Sequence, residues 1–197
     1  MKLVDTADEQ VELERILEAS KPPLPTVPKE QHYFLVSPFR YPSPYPSRFR
    51  EAGALGIWYG AEKVETACTE LAYWRWRFLM DSDRLRMGGL IAEFTLFKAK
   101  VEGRALDLTE GPWDTKRALW NADDYAACQA LAKEARSRTT KWIRYWSARH
   151  VEGCCGAVLD PSCLTSVELN KQQTWICKVT ASSAFMRHED ESLTITF

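Results

Sequence analysis

The sequence has no C-x-x-C pair, no apolar run near the length of a membrane span, no excess of either charge and no glycine-rich phosphate loop. Each absence excludes something. The longest apolar runs, such as "GAVL" and "LGIWY", cover a few residues, whereas a bilayer span needs about 20. With 26 Lys plus Arg against 27 Asp plus Glu, the net charge of -1 gives no general attraction to polynucleotides or anionic lipid. Any basic site has to be local. The cysteines at 68, 128, 154, 155, 163 and 177 and the histidines at 32, 150 and 188 lack the short paired spacing of a zinc site, so no metal is expected. Free, buried thiols in a reducing cytoplasm are the expectation, and a catalytic Cys–His pair stays open because such partners meet in space. The start, "MKLVDTADEQVELERILEAS", is acidic and lacks the apolar centre of a signal peptide. The expected location is cytoplasmic, with no membrane.

What is present fits one globular domain: 197 residues, 45% apolar and 27% charged, without internal repeats. Residues 6 to 19 carry Val11, Leu13, Ile16 and Leu17 at amphipathic helix spacing, and "SKPPLPTVPKE" then stops the helix. We read 1–30 as a helical arm with a proline-rich linker and 31–197 as the main domain. "HYFLVS" predicts a strand, followed by a stiff loop, "PFRYPSPYPSR", that carries Arg40 and Arg48. "LGIWYG" predicts a strand, and Glu62 to Met80 a helix with Val64, Ala67, Cys68, Leu71, Trp74 and Phe78 near one face. Thr66, Glu70 and Arg77 fall on a different stripe.

"GGLIAEFTLFKAK" and "GRALDL" read as strands about a turn at Gly103, a plausible hairpin. Two or three helices are expected over 114–149, one of them "TTKWIRYWSARH" with Trp142, Ile143 and Trp146 together. "GCCGAVLD" and "TWICKVTA" close the domain as strands around a loop at 160–172. Without a regular βαβ rhythm, the class is α+β rather than doubly wound.

"SRFREAGALGIWYGAEKVETACTELAYWR", residues 47–75, carries the chemistry. Arginines in a stiff loop can hold phosphate with a planar fork of donors, and two suggest a diphosphate. Tyr59, at a strand end, offers a ring and a hydroxyl, and the Glu70 carboxylate can face the same pocket. The residues alone leave this open, since a lone Arg, Tyr or Glu is most often surface charge, core aromatic or a solvated face. Without a helix-end phosphate cradle, side chains would have to hold a nucleotide.

The run "FRYPSPYPSRFREAGALGIWYGAEKVETACTELAYWR" resembles the RES family, named for an Arg, a Glu and a Ser. The early arginine is Arg40, "SRF" brings Arg48, "WYG" brings Tyr59, and "ETACTE" ends at Glu70. The family serine comes later, in a segment often of the form Tyr-x-Ser-Val-Arg. "DPSCL" at 160–164 nominates Ser162, although Asp160 stands for the tyrosine and Leu164 for the arginine, and Ser166 in "LTSVEL" is the rival.

The resemblance covers roughly 32–180. It implies an ADP-ribosyltransferase-like fold of largely antiparallel sheets flanked by helices, in a toxin of a toxin–antitoxin pair. The implied substrate is NAD, cleaved at the nicotinamide–ribose bond with water, phosphate or a protein as acceptor. The implied partner is an Xre-type helix-turn-helix antitoxin, with a homodimer inside that complex left open. Arg40, Arg48, Tyr59 and Ser162 would bind NAD, and Glu70, Arg48, Tyr59 and Ser162 would serve catalysis. Two other readings compete. One is a nucleic-acid-binding module using Trp74, Trp76, Trp142 and Trp146 with interleaved arginines; the other is an interaction protein with a vestigial pocket.

Overall fold

The computed structural model describes residues 4–23, 27 and 31–197, leaving aside the side chain of Leu169. Most of the expected proline-rich linker therefore lies outside the described residues. The chain runs α1 (Ala7–Ser20), α2 (Tyr33–Arg40), β1 (Trp58–Ala61), α3 (Val64–Met80), α4 (Asp83–Gly88), β2 (Leu90–Val101) and β3 (Ala105–Asp107). It continues as α5 (Gly111–Asp114), α6 (Arg117–Trp120), α7 (Ala126–Ser137), β4 (Trp142–Trp146), β5 (Cys154–Val158), β6 (Leu164–Val179), β7 (Ser183–His188) and β8 (Glu191–Thr196). The fold is α+β, with one sheet of order β1-β5-β4-β3 and a second of order β2-β6-β7-β8. Among the described residues, only the β3–β4 pairing is parallel.

The arm helix α1 starts at a capping box, with Thr6 and Glu9 satisfying each other's amides. "HYFLVS" is helical, not extended. His32 caps α2 by accepting from the Phe34 amide, and Leu35 and Phe39, four apart, are buried together, so the helical period wins over the aromatic and β-branched composition. The expected hairpin is also absent: β2 pairs with β6 in the second sheet, while β3 joins β4 in the first.

"TTKWIRYWSARH" holds strand β4 rather than a helix, with Ile143 and Tyr145 buried and Trp142, Arg144 and Trp146 alternating on the other face. The loop expected at 160–172 is short, because β6 begins at Leu164.

Among the described residues, three cores fix these parts. Phe49, Ile57, Leu108, Ile143, Tyr145 and Ala157 of the first sheet and its loops pack against Trp120, Cys128 and Ala132 of α6 and α7. Helix α3 lays Cys68, Ala72 and Leu79 on Trp175, Val179 and Met186 of the second sheet. Trp74 and Phe78, expected on that inner face, are exposed. A third cluster seats α2 through Leu35 and Phe39 on Val158 and Leu164. Since α3 also touches β1 and β5, it bridges the two sheets and carries its remaining side into the candidate site.

Candidate functional site

Arg48 sits at the tip of a tight turn. Ser47 and Arg50 exchange backbone hydrogen bonds at 2.8 and 3.1 Å, and Gln129 Nε2 on α7 donates to both of their carbonyls at 3.1 Å. The Tyr59 hydroxyl completes the clamp, 2.8 Å from Ser47 Oγ and accepting from the Phe49 amide at 3.2 Å. Burial of that hydroxyl pushes the phenol pKa up, although the Ser47 and Phe49 contacts oppose it. The residue as a whole stays 37% exposed. Tyr59 therefore builds the turn that presents Arg48. The Arg48 Nη1 donates to the carbonyls of Trp120 at 2.5 Å and Ala122 at 3.0 Å, and its guanidinium lies 5.0 Å over the Tyr125 ring.

Helix α3 supplies Glu70. Thr66, Glu70, Tyr73 and Arg77 recur every three to four residues and form one stripe, and the first three meet the turn that follows β4. Thr66 Oγ1 lies 2.8 Å from His150 Nδ1, Glu70 Oε1 accepts from Ser147 Oγ at 2.6 Å, and the Tyr73 ring lies 3.6 Å beneath the Arg149 guanidinium. Ser147 is 1% exposed. Its oxygen accepts from the amides of Arg149 at 3.1 Å and His150 at 2.9 Å, so the hydroxyl proton is directed at Glu70.

Gly153 permits this approach of turn to helix. A β-carbon there would lie against Thr66 Oγ1, 2.6 Å from Thr66 Cγ2 and 2.7 Å from His150 Nδ1. Tyr145, buried in the first core, feels both parts of the site. Burial raises its pKa well above the ordinary value, and the charge of Glu70 adds to this while that of Arg48 opposes it.

The structure thus brings Arg48, Tyr59 and Glu70 within electrostatic reach of Tyr145 and joins Glu70 to Ser147, which sequence reasoning missed. The signal was present in "YWSAR", which has Tyr145, Ser147 and Arg149 in the order of the segment Tyr-x-Ser-Val-Arg. Ser162 is elsewhere. It follows the far end of β5, its Oγ accepts from Lys141 Nζ at 2.7 Å and its amide donates to Asp160 at 2.8 Å. The extended chain from Gly153 to Asp160 spans roughly 20 Å. Ser166 lies on β6 opposite Lys100.

Arg40 is also apart from the cluster. It is buried, donating through Nη1 to Glu18 on α1 and through Nε to the Pro22 carbonyl, both at 2.6 Å, so it anchors the arm.

A cleft of about 910 Å³ lies between the two sheets, walled by Phe34, Trp58, Phe97 and Trp142, with Lys63 and Gln173. Tyr59 and Ala67 border it, but Arg48, Glu70 and Ser147 do not, so it adjoins the polar cluster without containing it.

All six cysteines are free and buried, and burial pushes Cys68 and Cys155 up to about 12 and Cys163 up to about 11. Among the described residues no group of His, Cys, Asp and Glu is arranged to hold a metal, and no helix is long and apolar enough to cross a membrane. Three of the four indoles in the nucleic-acid reading bind the fold itself. Trp76, Trp142 and Trp146 donate to Ala181, Gly103 and Asp114 respectively.

A family model, described as the RES domain, matches residues 23–179. The chain belongs to the RES domain family. At the family level this associates it with toxin–antitoxin systems, antitoxin partners and NAD-related chemistry. No curated protein matches the chain.

Proposed function

We propose that this RES protein is a toxin that cleaves NAD at the nicotinamide–ribose bond, with Arg48, Tyr59, Glu70 and Ser147 as its working residues. The observation that carries the reading is the 2.6 Å hydrogen bond from Ser147 to Glu70, held beside Arg48 and Tyr59. Arg48 binds the diphosphate through charge-assisted hydrogen bonds, and Tyr59, partly exposed, packs against the nicotinamide riboside.

As the C1′–N bond breaks, its electron pair leaves with nicotinamide and positive charge builds on the ribose ring. The fixed Glu70 carboxylate stabilises that charge without having to reorganise. Water, phosphate or a protein nucleophile then bonds to C1′ and loses its proton. An Xre-type antitoxin that covers Arg48 would silence the site.

The test is incubation of the purified protein with NAD alone, with phosphate and with protein acceptors, scoring nicotinamide release. Glu70→Gln keeps the shape and removes the charge. NAD should still bind while single-turnover release falls by about 10²–10³. Arg48→Ala should weaken NAD binding by about 1.5–3 kcal/mol. No release under any acceptor condition, or a Glu70→Gln rate within about threefold of wild type, overturns the reading.

A further inference from the structure

Two residues beyond Ser147, Arg149 repeats the construction seen at Arg48. Each guanidinium lies on a tyrosine face, Arg149 at 3.6 Å over Tyr73 and Arg48 at 5.0 Å over Tyr125. Stacking fixes the plane of a guanidinium while leaving its in-plane donors to meet an anion.

Both arginines also bind one short segment between α6 and α7. Arg48 holds the carbonyls of Trp120 and Ala122, and Arg149 Nη2 donates to Asp123 Oδ1 at 2.8 Å. The pair is asymmetric, with the Arg149 side chain 20% exposed and that of Asp123 78% exposed. Among the described residues, no carboxylate stands at ion-pair distance from Arg48 or Arg77, and Asp123 is the one that stands so near Arg149. The Arg149 hydrogen bond and charge hold the Asp123 carboxyl below its ordinary range, and the charges of Arg48 and Arg77 add to this. Three cations thus act on one exposed carboxylate.

We propose that Arg149 and Arg48 form the seat for a diphosphate, and that Asp123 is a built-in competitor occupying Arg149 until the ligand's anion displaces it. Identifying NAD as the natural ligand rests on the function proposed above; the anion seat itself does not. The exchange replaces one carboxylate–guanidinium pair by a phosphate–guanidinium pair, so the ligand gains only the difference between them. Displacement is also felt at Ser147, because Asn121, on the same segment, donates through Nδ2 to the Ser147 carbonyl at 3.3 Å. The Asn121 Oδ1 is buried with no hydrogen-bond partner among the described residues. A segment that lets go of Arg149 changes the surroundings of Ser147 as well as those of Arg48.

The test is calorimetric titration with inorganic pyrophosphate and ADP-ribose of the wild type, Asp123→Asn, Arg149→Ala and the double variant. Asp123→Asn should tighten pyrophosphate about two- to fivefold, the scale of releasing an exposed ion pair. Arg149→Ala should weaken it about tenfold or more, the loss of a charge-assisted hydrogen bond, and the double variant should show no gain from the Asp123 change. Asp123→Ser serves in the same comparison if the asparagine variant does not fold. Unchanged or weaker binding in a folded Asp123 variant would make the pair a structural staple and overturn the proposal. Pyrophosphate tightening without nicotinamide release from NAD would leave the seat standing and remove NAD as a substrate cleaved there. Nicotinamide release with a neutral Asp123→Asn would do the reverse.

Discussion

A serine hydroxyl has one proton to give, and Ser147 gives it to Glu70 at 2.6 Å while accepting two backbone amides. The amides fix the oxygen, the oxygen fixes the carboxylate, and the carboxylate is thereby aimed before any substrate arrives. Ser147→Ala removes a hydrogen bond to a charged group, worth about 1.5–3 kcal/mol. If it acts in the transition state, nicotinamide release should fall about 10- to 100-fold with the far-UV spectrum preserved. Ser162 supplies the comparison, because its partners are Lys141 and Asp160. Ser162→Ala should release nicotinamide within about threefold of wild type. Equal losses at both serines in single-turnover assays would remove the distinction drawn between them.

At the scale of elements, the site depends on a helix and a turn approaching closely, and Gly153 is where that approach is tightest. Gly153→Ala should cost about 1–3 kcal/mol in denaturant unfolding, the range for forcing a methyl into a packed contact, and should lower turnover by loosening the Ser147–Glu70 bond. Gly156→Ala, whose new carbon would meet Trp142 at an ordinary 3.7 Å, should leave turnover unchanged. A Gly153→Ala protein with wild-type stability and rate would show that the turn yields freely.

The helix side of this pairing was legible in the sequence, since α3 is long and its Thr66, Glu70 and Arg77 stripe is helical by spacing. The turn side was not. Trp142 and Trp146 are four apart, a separation that lies on one face of a helix and equally on one face of a strand. Reading β4 as a helix buried Ser147 inside an element instead of placing it just past a strand end. For α2 the error ran the other way, because local composition favoured a strand and the Leu35–Phe39 contact with β5 and β6 decided otherwise. Arg40 carried no local mark of its fate, since its partners Glu18 and Pro22 come from an arm whose docking no motif announces.

At the scale of the whole molecule, five of the six cysteines lie in the three cores and the sixth, Cys154, is buried as well, and this ties stability to alkaline pH. Burial raises every one of their pKa values, Cys68 and Cys155 from an ordinary 9.0 to about 12 and Cys163 to about 11. A group whose folded pKa lies above its unfolded value keeps its proton better when folded. Its stabilising contribution is complete below the unfolded pKa and is lost as pH rises toward the folded one. Burial moves Tyr145 in the same direction. The melting temperature should therefore hold between about pH 6 and 8 and fall from about pH 9 upward, as unfolded thiols ionise and folded ones do not. Thermal melts across that range check it, alongside the rate at which a thiol reagent labels the native protein. Labelling should be slow at neutral pH and should rise with the unfolded fraction, because a buried neutral thiol is a poor nucleophile. Cys155→Ala makes the cause explicit: it removes one of the most shifted thiols, so the alkaline decline should be shallower even if the variant is less stable at pH 7. A decline of unchanged steepness in that variant would assign the alkaline loss to groups other than Cys155.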